Sequence, residues 1–163
     1  MIAGVAHAMP AQVLLVRHAE KASAPAGDPA LSEAGRQRAE ALKTALRAAA
    51  VDAVLTTPYR RTRETAAPLA AARGLEPIVV PTEGDHIAAV LARLRQLPAG
   101  STALVVGHSN TLAPLIRELG GPALPDLAEC EFDRLFVLDI GPPAELVEAR
   151  YGAISASCLA SGF

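Results

Sequence analysis

Two hydrophobic patterns alternate along the chain. Short apolar runs of the kind that form buried strands occur at Val13-Leu14-Leu15-Val16, Val51 to Thr56, Pro77 to Val80, Ala103 to Val106 and Arg134 to Ile140. Between them, apolar residues recur every three or four positions, the spacing of one helix face. Ala39, Leu42, Leu46 and Ala49 form such a stripe, with Arg36, Glu40, Lys43 and Arg47 falling mostly off it. Leu31-Ser32-Glu33 reads as the start of that helix, and Glu20 to Pro29 as the loop before it. Pro58 to Arg73 reads as a second helix stopped by Gly74, because glycine readily takes the left-handed conformation that ends helices. Ile87, Val90, Leu91, Leu94 and Leu97 mark a third, and Leu112, Leu115, Ile116 and Leu119 a fourth closed by Gly120-Gly121. Glu145 to Tyr151 reads as a strand beside the last apolar run. Strand and helix in alternation predict an α/β domain, a three-layer α/β/α sandwich with a mainly parallel central sheet covered on both faces.

A length of 163 residues, 51% hydrophobic, suits one domain spanning 1–163, with residues 1–11 as a flexible N-terminal segment. A net charge of −2 with interspersed signs gives no nucleic-acid footprint, and 3% aromatic residues argue against a base-stacking surface. No apolar stretch approaches the roughly 20 residues that span a bilayer. Cys130 and Cys158 lack metal-ligand spacing, so no metal site is expected and no disulfide is inferred. Ala6-His7-Ala8 has the form of a signal-peptidase site, but a basic start and a full apolar segment are missing. Cytoplasmic residence is the expectation, with export as the alternative.

Chemistry enters at the end of the first apolar run. Arg17-His18 follows Val16 where a strand should stop. An imidazole there can attack phosphorus while a guanidinium fork holds phosphate oxygens. An ion pair of Arg17 with Glu20 is the competing structural reading. Arg61, in the first turn of the second helix, is a candidate second phosphate ligand or a residue that only caps or decorates the helix, whereas Arg60 and Arg63 read as solvated. His108, after the Ala103 to Val106 strand, could donate to a phosphoryl oxygen. These positions all follow strand ends, where ligands bind in open α/β sheets.

Three segments together carry a resemblance: Arg17-His18-Ala19, the Thr57, Arg61 and Thr65 of Thr57-Pro58-Tyr59-Arg60-Arg61-Thr62-Arg63-Glu64-Thr65, and Val105-Val106-Gly107-His108. In order and spacing they resemble the histidine phosphatase superfamily, the phosphoglycerate-mutase-like family, in its small short-loop branch. Ala19 stands where that family usually has glycine, which should change backbone freedom beside the nucleophile. The resemblance implies a phosphatase that hydrolyses phosphate monoesters through phosphohistidine on His18, with Arg17, Arg61 and His108 on the phosphate and neither metal nor cofactor. Its substrate would be a phosphorylated small molecule or a phosphoprotein, without nucleic-acid or membrane partners; oligomeric state stays open. The leaving-group acid is expected between Arg61 and His108, at Glu83, or at Asp85, which also reads as a helix N-cap. His86 is a further substrate contact. Lys21 either meets substrate charge or is solvated, and Ser109 and Asn110 line the pocket or cap a turn. Asp28 to Gly35 resembles a recurring family segment with a structural job. Protein phosphohistidine phosphatase and a non-catalytic phosphate-binding domain are the alternatives. A mutase is disfavoured by the short chain.

Overall fold

The computed structural model describes residues 9–155. The elements run β1 (Gln12–Arg17), α1 (Glu33–Ala45), β2 (Ala53–Thr56), α2 (Arg60–Arg73), β3 (Ile78–Val79), α3 (His86–Leu94), β4 (Thr102–Gly107), α4 (Leu112–Glu118), β5 (Arg134–Asp139) and β6 (Glu145–Arg150). One six-stranded sheet has the order β3-β2-β4-β1-β5-β6. Strands β3, β2, β4 and β1 are parallel, while β5 and β6 add an antiparallel edge.

The layers follow from the two-residue period of a strand. In β1, Val13 and Leu15 join the core built with Val90, Leu91 and Leu94 of α3 and Leu112, Leu115 and Ile116 of α4. Leu14 and Val16 point the other way, into the core with Leu42 of α1 and Ala66, Leu69 and Ala70 of α2. Burial on both faces explains why β1 and β4 are continuous apolar runs rather than alternating ones. The result is the expected helix–sheet–helix sandwich.

Helix ends account for most departures from the predicted boundaries. α1 starts after Ser32, whose hydroxyl accepts from the Gly35 amide at 3.1 Å. Gly74 closes α2 at φ 63°, as expected. α2 begins at Arg60 rather than Pro58, and α3 ends at Leu94, so Leu97 packs on the core from a turn that leads into Pro98. β3 shrinks to Ile78–Val79, the sheet edge.

Of the 1–11 segment, residues 1–8, and with them Ala6-His7-Ala8, lie outside the described residues, as does Cys158. Met9 packs against the core, Pro10 is buried, and the Ala11 amide donates to the Ser101 carbonyl at 2.8 Å. Cys130 is disulfide-bonded, a pairing its sequence spacing gave no reason to infer. Among the described residues no helix is long and apolar enough to cross a membrane.

Candidate active site

Parallel β1, β2 and β4 end side by side, and the residues just past their carboxyl ends open a cleft of about 650 Å³. Its lining includes Arg17, His18, Arg61 and His108, the four residues singled out from the sequence, joined by Lys21, Ser109 and Asn110. β1 has a parallel neighbour on one side and an antiparallel one on the other, so the cleft lies where strand direction changes hands.

His18 is held from three directions. Its amide donates to the Gly107 carbonyl at 2.9 Å, tying the end of β1 to that of β4. Its Nδ1 lies 2.8 Å from the Ala19 carbonyl, an acceptor, so Nδ1 carries the proton and Nε2 keeps a lone pair. The next amide, of Ala19, donates to Thr65 Oγ1 at 2.8 Å, and that hydroxyl donates to the Arg61 carbonyl at 2.6 Å. The loop after His18 and the first turn of α2, which carries Arg61, are therefore linked through Thr65. Ala19 is fully buried, and among the described residues only glycines take positive φ. Its side chain thus imposes no left-handed strain, and the expected change in backbone freedom is not needed here.

Burial, followed by the charges of Arg17, His108 and Arg61, drives the His18 pKa down to about 3, against a partial offset from the Ala19 carbonyl. Burial, then Arg61, His86 and Arg17, brings His108 to about 4. Both rings are therefore neutral near pH 7, and His108 is not an imidazolium there. Its Nε2 lies 3.1 Å from Thr57 Oγ1, and its amide donates to Thr111 Oγ1 at 3.0 Å. Thr57 is in turn hydrogen-bonded to Thr62. The ring centroids of His18 and His108 are 5.4 Å apart.

The depressed His18 pKa has a consequence for folding. Between pH 6.5 and 3 the unfolded chain binds a proton at His18 that the native protein does not. Stability is therefore full above about pH 6.5 and is lost as pH falls, by up to about 1.4 kcal/mol per pH unit from this residue. Denaturant titrations at pH 7 and pH 5 should show His18→Ala gaining stability relative to wild type at the lower pH; an unchanged difference would contradict the burial of a neutral ring.

Arg17 and Arg61 are each only partly hydrogen-bonded. Arg17 Nη1 donates to the carbonyls of Ala128, Glu129 and Glu131 at 3.1, 2.9 and 3.1 Å, and its guanidinium carbon lies 4.1 Å from the Phe132 ring centroid. The competing pair with Glu20 does not form. Glu20 instead binds Arg38, and a long 3.5 Å contact links Arg17 Nη2 to Glu129. Arg61 sits 4.3 Å from the Tyr59 ring centroid. The Nε of Arg17 and the Nε of Arg61 are both buried without a hydrogen-bond partner. A buried N–H left unpaired costs on the order of 1–3 kcal/mol, more when charged, so two such donors beside one cleft favour a bound anion. Arg60 and Arg63 are exposed, and Arg60 pairs with Glu64.

The two carboxylates assigned as leaving-group acid are absent from the cleft lining. Asp85 accepts from the Ala88 amide at 3.0 Å as N-cap of α3, and Glu83 is exposed on the turn before it. Their interval in sequence places them beside the start of α3, where the Asp85 carboxylate is engaged in the helix cap. Thr82 and His86 line the cleft in their place. The clamp of residues 128–132 on Arg17 was not legible in the sequence, because it acts mainly through backbone carbonyls more than 100 positions away. Tyr59 was missed as well; its place beside Arg61 is evident only once α2 is known to start after it.

Comparison with known proteins agrees with this geometry. The model of the histidine phosphatase superfamily (branch 1) matches residues 13–82. A SixA protein of Nakamurella multipartitia, assigned as a phosphohistidine phosphatase, is 28% identical, with a TM-score of 0.62 over 87% of this chain and 96% of that one. The SixA of Agrobacterium tumefaciens, with the same assignment, shares the fold at 24% identity and a TM-score of 0.66, covering 90% of this chain and 99% of that one. A protein of Escherichia coli K-12 assigned as an alpha-ribazole-5'-P phosphatase does so at 20% identity and 0.69, covering 89% and 98%. A curated relative, the potassium-transporting ATPase KdpC subunit of Variovorax paradoxus (strain S110), is 41% identical over 104 residues, 62% of this chain. The match spans 47% of that relative's own length. Motifs, sheet order and family match converge: residues 13–82 match the histidine phosphatase superfamily, branch 1, and the whole described chain shares the fold of the solved phosphatases above.

Proposed function

We propose that this protein is a single-domain, metal-independent phosphatase that hydrolyses phosphate monoesters through a covalent phosphohistidine on His18. The two unpartnered guanidinium Nε donors beside a neutral, tautomer-fixed His18 carry this reading. Arg17 and Arg61 grip the equatorial oxygens of a phosphoryl group and offset the charge that repels a nucleophile. His18 Nε2 attacks phosphorus, the ester oxygen leaves, and a phosphohistidine remains. His108, reaching the same phosphoryl group, contributes a further donor once an anion in the cleft favours its protonated form. Water then displaces His18 and releases phosphate.

A second reading, hydrolysis of protein phosphohistidine, is favoured by the absence of Glu83 and Asp85 from the cleft lining and by likeness to the SixA proteins. A nitrogen leaving group demands a different proton donor from an alkoxide. Phosphate release from p-nitrophenyl phosphate and from a phosphorylated histidine protein, both with chelator present, separates the readings. Turnover of the ester unaffected by chelator supports the first. Turnover confined to the phosphoprotein supports the second, and binding of phosphate with turnover of neither leaves a phosphate-binding domain.

A further inference from the structure

Resting on the phosphatase reading, we propose that His86 is the proton donor to the leaving oxygen, a role that sequence position had given to Glu83 or Asp85. His86 lines the same cleft as Arg17, His18, Arg61 and His108. It is close enough that its charge opposes protonation of His108. The turn before α3 is built to present this ring. Gly84 takes φ 71°, the His86 amide donates to the Gly84 carbonyl at 3.1 Å, and Asp85 caps the helix that His86 begins.

The ring's own hydrogen bond fixes which nitrogen is available. His86 Nδ1 lies 2.8 Å from the Pro81 carbonyl, an acceptor, so Nδ1 is the donor of that bond and Nε2 is the nitrogen left to face a substrate. Three other titratable groups of the lining are placed for other work. Glu129 faces Arg17 Nη2, on the guanidinium that grips phosphate. Tyr59 packs its ring on Arg61 and edge-on to His108. The Lys21 ammonium is a point charge better suited to holding an anionic substituent than to surrendering a proton.

The proton balance closes around His86. In the first step His18 Nε2 bonds to phosphorus, the phosphorus–oxygen ester bond breaks, and protonated His86 gives its Nε2 proton to the departing oxygen, which leaves as an alcohol. In the second, water attacks phosphorus, the phosphorus–nitrogen bond to His18 breaks, and neutral His86 Nε2 takes the water proton. His18 is regenerated and His86 is ready for the next ester.

The test is the dependence of rate on the leaving group. Wild type, His86→Ala, His86→Gln and Glu129→Gln are assayed on p-nitrophenyl phosphate, whose leaving group needs little protonation, and on an alkyl phosphate such as glycerol phosphate. His86→Ala is expected to lower kcat on the alkyl ester about 100-fold more than on the nitrophenyl ester. His86→Gln should behave the same way, added imidazole should restore part of the loss to the alanine variant, and Glu129→Gln should leave the ratio of the two rates unchanged. A merely structural role would depress both rates together, and that outcome, like an unchanged ratio, overturns the inference. So does wild type that cleaves no alkyl ester, or a ratio that follows Glu129 instead. Nitrophenyl turnover that persists without His18 would instead overturn the phosphatase reading itself.

Discussion

Replacing His18 with alanine is expected to reduce phosphate release from p-nitrophenyl phosphate by at least about 10⁴-fold, with the fold intact. The size follows from what the residue alone supplies. His18 is 4% exposed, its tautomer is set by the Ala19 carbonyl, and burial among cationic neighbours keeps its attacking nitrogen free of a proton down to about pH 3. His108 cannot take over, since its Nε2 is already engaged by Thr57 Oγ1. Arg17 and Arg61 would remain, so the variant should still bind inorganic phosphate or tungstate. Circular dichroism and an anion-induced rise in Tm would establish that a folded, ligand-competent protein has lost only turnover. Residual turnover within tenfold of wild type would remove His18 from the mechanism.

A second large effect is expected at Arg38, and it is one of stability. Arg38 is 3% exposed, yet it lies within α1. Its Nε and Nη2 reach both oxygens of Glu20 at 2.7–3.0 Å, and its remaining donors satisfy the carbonyls of Tyr151 and Ala153 at 3.1 and 2.8 Å. Arg38→Ala leaves a carboxylate and two carbonyls without partners. Breaking a buried pair in this way typically costs about 3–5 kcal/mol, on the order of 10 °C in Tm for a chain of this size. Arg38→Lys should recover only part, because an ammonium cannot reproduce the fork.

Activity should fall with the Arg38 variants as well, because Glu20 lies two residues beyond His18. The Glu20 carbonyl accepts from the Ser32 amide at 2.9 Å, and a Cβ on Gly35 would lie 2.0 Å from that same oxygen. α1 therefore packs directly on the loop that follows His18, which gives the Asp28 to Gly35 segment its structural job. Urea denaturation of Arg38→Ala checks the prediction; a loss under about 1 kcal/mol would mean the pair is solvated rather than buried.

How legible this was in the sequence depends on what carries each contact. The layers could be read because β1 and β4 bury both faces and so must be apolar throughout. Arg17, His18, Arg61 and His108 could be read because chemistry-bearing side chains stand at strand ends and at a helix start. Asp85 and Glu83 show the limit: position along the chain places them in the turn before α3, but only geometry shows that Asp85 caps the helix at the Ala88 amide and that neither lines the cleft. Arg38 gave no signal, since a charged residue among Arg36, Gln37 and Glu40 looks like a solvated helix face. The grip on Arg17 by the carbonyls of 128–131 has no side-chain signature at all.

Rapid quenching of the enzyme with p-nitrophenyl phosphate, followed by peptide mapping under alkaline conditions that preserve phosphoramidates, reaches the covalent intermediate itself. One phosphoryl group is expected on the peptide carrying His18, labile to acid and absent from His18→Ala. Turnover with no phosphoenzyme at any quench time, or a phosphoryl group on another residue, would contradict it.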